Sequence, residues 1–350
     1  MMRSITIQPR VANSVALRNV PEPTPDEGGV LVETLAIGVC GTDVEIIRGE
    51  YGAAPPNEDY LILGHESLGR VVETDNRTGD LHPGDLVVAM VRHPDPVPCP
   101  NCAIGEWDMC RNGRYTEHGI KQRHGFARER FRTTADRLVR VDPSLGQRGV
   151  LLEPASVVAK AWEHIERIGR RADWQPQTVL VTGAGPIGLL AALLARQRGF
   201  EVDVVDIVND GPKPQLVRDL GARYHTGGVQ AIGRVPNIAL ECTGVPQLVF
   251  DIMQVTTPGG IVCLTGVSSG GRKLSADIGS LNRSMVLEND VVFGSVNANR
   301  RHYEAAAIAL AQADPAWLER LITRHVPLAQ WSQAFERQPH DVKTVLDFQS

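Results

Sequence analysis

Residues 178–198 constrain the fold more than any other part of the chain. A β-branched run, Thr178-Val179-Leu180-Val181-Thr182, leads directly into Gly183-Ala184-Gly185-Pro186-Ile187-Gly188, and a helical pattern continues to about Arg198. Each glycine has its own task there: a tight turn at Gly183, room for backbone to approach a pyrophosphate at Gly185, and close helix–strand packing at Gly188. The helix start, with Pro186 and Ile187 in its first turn, offers free N–H donors and the positive end of a helix dipole to phosphate. Gly-x-Gly-x-x-Gly has weight only in this setting, with a strand before it and a helix after. The next strand, 201–205, ends at Asp206, 18 residues past Gly188. A carboxylate there accepts both ribose hydroxyls of NAD and repels the 2′-phosphate of NADP. Lys213 softens that discrimination, so NAD is favoured and NADP stays open. Strands at 237–241 and 260–265 end in Cys242-Thr243-Gly244 and Gly266-Val267-Ser268. Ligands in such sheets lie beyond the carboxyl ends of strands, so Thr243 and Gly266 are expected on the nicotinamide side of the cleft. Cys242 and Cys263 read as ordinary buried thiols.

Strand and helix patterns alternate from 178 onward, which is the signature of an α/β unit with a parallel sheet covered by helices. Before it, short apolar runs at 30–35 and 86–91, broken by Gly and Pro, read as strands of a β-rich, barrel-like domain. A helix over 155–168 separates the two textures. Helices at 301–311 and 316–323 and a strand at 344–348 abandon the alternation, so the tail is expected to return to the first domain. The division expected is a catalytic domain at 1–155, completed by 298–350, and a dinucleotide-binding domain at 156–297. A length of 350 residues suits two domains.

Composition excludes several functions. The net charge of −5, with Lys and Arg scattered among acids, gives no basic footprint for nucleic acid. The first residues lack the apolar core of a secretion signal, and the longest apolar helical run, near 189–195, is too short to span a bilayer. A cytoplasmic protein without membrane contact is expected. Three of the six cysteines, Cys99, Cys102 and Cys110, fall within twelve positions, which in a reducing compartment points to metal.

A second metal signal comes from Cys40, His65-Glu66 and Glu153. Singly, Cys40 would be a buried thiol and His65 a core histidine. Together they offer thiolate, imidazole and carboxylate, a mixture that zinc accepts while keeping a position open for substrate in catalytic sites.

The ordered series Gly38-Val39-Cys40-Gly41-Thr42-Asp43, Leu63-Gly64-His65-Glu66, the cysteine lobe, Leu151-Leu152-Glu153-Pro154, the glycine fingerprint and Gly294-Ser295-Val296-Asn297 resembles the zinc-dependent medium-chain dehydrogenase/reductase superfamily, glucose dehydrogenase branch. The resemblance spans essentially the whole chain. It implies a GroES-like catalytic domain, a Rossmann domain and a homodimer or homotetramer. It also implies a zinc-dependent, NAD(P)-linked oxidation of an aldose, D-glucose at C1 to the lactone, with a polyol, threonine or other secondary-alcohol dehydrogenase as the alternative. By the same resemblance Cys40 and His65 match the constant catalytic-zinc ligands, and Glu66 and Glu153 complete the coordination directly or through water. Thr42 matches the hydroxyl that starts a proton relay; Glu45 stands where many relatives have a relay histidine. Glu117 and Asn297 match positions that bind sugar hydroxyls, Asn297 also lying near the nicotinamide. Relatives with a structural zinc show Cys-x2-Cys-x2-Cys-x7-Cys, whereas here Pro96 occupies the first position. Asp95 is the most economical replacement ligand and His93 the second choice; a lobe of three free thiols without metal is the remaining outcome.

Overall fold

The computed structural model describes residues 1–75, 79–268, 270 and 273–350. Two compact units result, Met1–Ser156 with Asn297–Ser350, and Val157–Val296. In the first unit the chain lays down β1 (Met2–Ile7), β2 (Ala16–Val20), β3 (Val30–Val39), α1 (Gly41–Ile47), β4 (Leu61–Ile62), β5 (Glu66–Glu73), β6 (Leu86–Ala89) and β7 (Arg92–His93). It continues with α2 (Pro100–Ala103), β8 (Thr116–His118), β9 (Gln122–Arg123), β10 (Arg130–Thr133) and β11 (Leu138–Arg140), and α3 (Leu152–Gly169) leads into the second unit. There β12 (Thr178–Thr182), α4 (Pro186–Gln197), β13 (Glu201–Val205), α5 (Pro212–Asp219), β14 (Arg223–His225), β15 (Ile238–Glu241), α6 (Pro246–Ile252), β16 (Ile261–Leu264), α7 (Ile278–Glu288) and β17 (Val291–Gly294) follow. The tail adds α8 (Arg300–Ala311), α9 (Pro315–Leu321), β18 (Ile322–Pro327) and β19 (Lys343–Asp347).

β3 organises the first unit. Its near-continuous apolar sequence, VLVETLAIGV, suits a strand buried along almost all its length. β5, β10 and β19 all pair with it, in a sheet ordered β11-β6-β5-β3-β19-β18 with β10 attached to β3. The core here includes Ile5, Val32, Ile37, Phe126, Phe131 and Leu346, so strands from both ends of the chain share one apolar interior. Antiparallel pairing of β19 with β3, Thr344 opposite Val39, places the C-terminal strand inside this sheet, between β3 and β18.

The second unit is a six-stranded sheet, β14-β13-β12-β15-β16-β17, with every pairing parallel. Its order reverses at β12, the arrangement of a Rossmann fold, with the glycine turn at the switch point. Leu180, Val205, Ala239, Ile252 and Val262 form its core beneath the flanking helices.

One expected helix is too long. The reading of 316–323 as helical fails at Ile322 and Thr323, which begin β18; Ile322 pairs in parallel with Lys343 of β19, and Thr323 falls at a register irregularity before Arg324. The Thr323 hydroxyl accepts the Val342 N–H at 2.9 Å, so sheet pairing overrides local helical pattern there. The edge strands β14 and β17 are also absent from the sequence reading.

His118 is buried in β8. Its Nδ1 lies 2.6 Å from the His124 carbonyl and must carry the proton, so its Nε2 accepts from His93 Nε2, 3.0 Å away. Phe126 packs against the ring with centroids 4.4 Å apart. Burial, then the neighbouring His93, holds His118 well below the ordinary histidine value. Burial, reinforced by Arg123 and Arg137, pushes His93 down to about 3. Both rings are thus neutral in the fold, whereas the unfolded chain protonates them near pH 6.5. The stability they allow is complete above about pH 6.5 and is lost as pH falls toward about 3, at up to roughly 1.4 kcal/mol per pH unit for each histidine. Denaturant midpoints measured between about pH 7 and about pH 5 should fall for the natural chain and fall less steeply for His93→Gln; identical slopes would contradict the neutral pair.

Candidate active site

Strand register assembles the first cluster. Gly38 of β3 faces Glu66 of β5, so Cys40, two residues beyond Gly38, and His65, one before Glu66, arrive at the same end of the sheet. A side chain at Gly38 would put its Cβ 2.1 Å from Glu66 Oε2, so only glycine lets that carboxylate lie across β3. The ligand atoms of Cys40, His65 and Glu66 all fall within 4.8 Å of one another. Asp43, in the first turn of α1, braces the group: its Oδ2 accepts the Cys40 N–H at 3.0 Å and its Oδ1 lies 3.3 Å from His65 Nδ1. From β19, the buried Lys343 ion-pairs with Glu66 Oε2 and donates to the Val39 carbonyl at 3.0 Å.

The electrostatics follow from this crowding. Burial opposes charge on His65, but the anionic side of Asp43 and Cys40 outweighs it and holds the imidazole well above its usual range. Lys343 is likewise raised, burial being outweighed by Glu66 and then Cys40. Glu153 is buried in the first turn of α3 and lies outside the three-atom group, yet within its field. Burial, then Glu66, pushes its carboxyl up to about 7. Thr42 and Glu45 are half-buried on α1 at i, i+3, the spacing that puts two residues on one helix face. Sequence reasoning missed Asp43 and Lys343 as parts of the site. The Asp43 signal was available three positions from Cys40; Lys343 has none, because only the returning tail brings it here.

The second cluster is polar and largely buried. β7 and β8 pair with Arg92 opposite Glu117. Glu117 Oε1 accepts from Arg92 Nε and Nη2, both at 3.0 Å, and from Asn297 Nδ2 at 2.8 Å. Asn297 reaches it from a left-handed backbone conformation, φ 61°, which asparagine tolerates better than most residues. The Arg92 guanidinium also lies over the Tyr115 ring, 3.7 Å from its centroid. Glu117 is thus a buried acid held by three donors.

In the cysteine lobe the sulfurs of Cys99, Cys102 and Cys110 lie within 4.8 Å of one another. The Asp95 carboxylate, expected as the fourth ligand, is not in that group. Its Oδ1 accepts the Val97 N–H at 2.9 Å, and its Oδ2 accepts from Asn112 at 2.8 Å and Arg114 at 3.2 Å. The Asp95 main-chain N–H is what reaches Cys102. An Asx turn closed on Val97 has taken the carboxylate away from the thiols. His93 is committed to His118 and does not supply the missing ligand either.

The glycine turn of the second unit has the geometry its sequence requires. Gly183 has φ +86°, and a Cβ on Gly188 would stand 1.8 Å from the Gly183 carbonyl oxygen, whereas one on Gly185 would meet open space. Pro186 and Ile187 open α4. Asp206 Oδ2 accepts from Ala184 N–H at 2.6 Å and from Lys213 Nζ at 3.1 Å, tying the end of β13 to the turn. Glu241, buried at the end of β15, accepts the main-chain N–H of Thr243 at 2.7 Å and of Gly244 at 3.0 Å, and a Cβ on Gly266 would stand 2.5 Å from it. That carboxylate, also missed in the sequence, fixes the loop carrying Thr243 against Gly266. Cys242 and Cys263 are inert by position; burial pushes the Cys242 thiol up to about 12.

With this geometry in hand, the comparisons are consistent from end to end. Residues 26–143 match the family model described as alcohol dehydrogenase GroES-like domain, and residues 146–348 match that described as glucose dehydrogenase C-terminus. A glucose 1-dehydrogenase of Thermoproteus tenax is 41% identical over 354 residues, covering 100% of both chains. Glucose 1-dehydrogenase 2 of Vulcanisaeta moutnovskia is 40% identical, covering 99% of both. Among solved structures, Haloferax mediterranei glucose dehydrogenase in complex with NADP, Zn and gluconolactone superposes with a TM-score of 0.92 at 33% identity, covering 100% of each chain. The chain belongs to the zinc-dependent medium-chain dehydrogenase/reductase superfamily, in its glucose dehydrogenase branch.

Proposed function

We propose that this protein oxidises an aldose, D-glucose foremost, at C1 to the lactone, transferring hydride to NAD or NADP in a zinc-dependent reaction. The observation that carries this reading is the Cys40–His65–Glu66 cluster in a chain so similar to a glucose dehydrogenase solved with NADP, zinc and gluconolactone. The donor set suits zinc: one thiol, one imidazole and one carboxylate converge, and the surrounding acids leave a negative site that a divalent cation would neutralise. When bound, zinc is a Lewis acid that lowers the pKa of the sugar hydroxyl, and the nicotinamide is the hydride acceptor.

The chain's own residues do the remaining work. Asp43 against His65 Nδ1 fixes the tautomer that leaves Nε2 with a lone pair for metal. Lys343 balances Glu66 and keeps that carboxylate in place, while Glu153 stands close enough to share the position. The Thr42 hydroxyl takes the proton of the C1 hydroxyl, and Glu45, on the same face of α1, passes it outward in place of a histidine. Glu117 and Asn297 hold sugar hydroxyls, each of which would cost roughly 1 to 3 kcal/mol if buried unpaired. The three lobe thiols would supply three of the four ligands of a structural zinc, the fourth coming from neither Asp95 nor His93, while the Asp95 N–H donates to Cys102.

Gly183, Gly185, Pro186, Ile187 and Gly188 seat the pyrophosphate, Thr243 and Gly266 border the nicotinamide, and Asp206 receives the adenosine ribose. Its carboxylate supports NAD as the better cofactor, with Lys213 beside it partly neutralising the charge that disfavours NADP. The open edge of β17, with Val286 and Leu287 exposed on the preceding α7, supports a homodimer or homotetramer. No helix among the described residues is long and apolar enough to cross a membrane. All six cysteines are free, which supports a reducing, cytoplasmic setting.

Cys40→Ser or His65→Ala should abolish glucose oxidation while NAD binding, followed by fluorescence titration, stays within about twofold of the natural chain; full activity in a variant verified to lack zinc would refute the mechanism. Asp206→Ala should lower the NAD-to-NADP ratio of kcat/KM by about tenfold or more, the value of one lost charged hydrogen bond. An unchanged ratio would overturn the cofactor assignment.

A further inference from the structure

Glu106 and Asp108 lie in the cysteine lobe between Cys102 and Cys110, and neither faces the thiols as part of their cluster. They turn instead to the chain just beyond Asn297. Arg301 grips Glu106 with two parallel bonds, Nη1 to Oε1 at 2.7 Å and Nη2 to Oε2 at 2.9 Å. The Asn299 amide donates to Asp108 Oδ1 at 2.7 Å and to Glu106 Oε2 at 3.3 Å. On the other side, the Asp108 carbonyl accepts from Arg92 Nη1 at 3.0 Å. Asn299, Asp108, Arg92 and Glu117 are all buried.

We propose that Asn299 is a positioning residue for sugar recognition, locking the cysteine lobe against the strand pair that presents Arg92 and Glu117. Arg92 is held at Nη1 by the lobe and at Nε and Nη2 by Glu117, so a displaced lobe would rotate the guanidinium and the carboxylate it holds. Both guanidinium contacts and the Asn297 amide converge on Oε1 of Glu117; Oε2 carries none of them and is the acceptor left for a sugar hydroxyl. Asn297 lies two residues before Asn299, so the same lock fixes both of the groups assigned to the sugar. The lobe thereby acts on substrate affinity, through polar contacts that are buried and charge-assisted and so intolerant of small displacements. This inference rests on the reading of Glu117 and Asn297 as sugar-binding residues.

Steady-state kinetics of the full chain with D-glucose and NAD provide the test. Asn299 stands at the N-cap of α8, where aspartate is equally favoured, so Asn299→Asp preserves the helix start while turning a carboxylate toward Asp108 and Glu106. The expected result is a rise of about tenfold in KM for glucose with KM for NAD and zinc content per chain unchanged. Glu106→Gln, less buried and safer for folding, should move glucose KM in the same direction by a smaller factor. An unchanged glucose KM in Asn299→Asp, or equal rises for glucose and NAD, would overturn the proposal. Glu117→Gln separates the two levels: if it raises glucose KM and Asn299→Asp does not, only the lock fails, and if it leaves glucose KM unchanged the sugar assignment itself falls and the lock with it.

Discussion

A buried ammonium against a buried carboxylate holds the catalytic end of this protein together. Lys343 and Glu66 are almost wholly removed from solvent, and neither charge could persist there without the other. The pair joins β19 to β5 across β3, so the last strand of the chain is fastened to one of the first. Around it stand a thiol and two further carboxyls, Asp43 and Glu153, against a single imidazole. That surplus of acidic groups in a dry setting is what makes a divalent cation the natural occupant. Lys343 holds the Glu66 carboxylate in place, and Asp43 gives His65 its orientation.

Geometry at this end depends on register more than on loops. Gly38 opposite Glu66 and Thr344 opposite Val39 are two pairings within one sheet, and together they determine which side chains meet. A slip of one residue would turn Glu66 to the other face of β5 and separate it from Cys40 and His65. The second unit follows the same logic at its switch point, where β12 ends in the glycine turn and the buried Glu241 holds the neighbouring loop with main-chain hydrogen bonds. In each unit a buried carboxylate is the fixed point from which more exposed groups are positioned.

Much of this was legible in the residues. The glycine turn is local: strand, turn, helix and Asp206 follow one another along the chain, and the fold places them as the spacing requires. Cys40, His65 and Glu66 were recoverable because their chemistry is unusual in combination. What lay hidden was set by distant partners. Lys343 lies 304 positions from Val39, whose carbonyl it binds, and nothing in its surroundings marks it as a neighbour of Glu66 and Cys40. The His93–His118 pair is built by strand pairing, and the sequence offered His93 only as a second-choice ligand for the cysteine lobe. Asp95 misled for a local reason: adjacency to the missing cysteine suggested a ligand, but a carboxylate two residues before a free N–H closes on it, and Asn112 and Arg114 complete the capture. Helix pattern at 316–323 gave way to sheet pairing because β18 has a parallel partner to satisfy.

The central claim is that zinc sits among Cys40, His65 and Glu66. Anomalous scattering from a crystal of catalytically active protein, recorded on either side of the zinc absorption edge, addresses it directly. The account predicts a strong edge-dependent peak within bonding distance of the Cys40 sulfur and a His65 ring nitrogen, with Glu66 or Glu153 completing the set directly or through water. An active crystal with no such peak between Cys40 and His65 would contradict it.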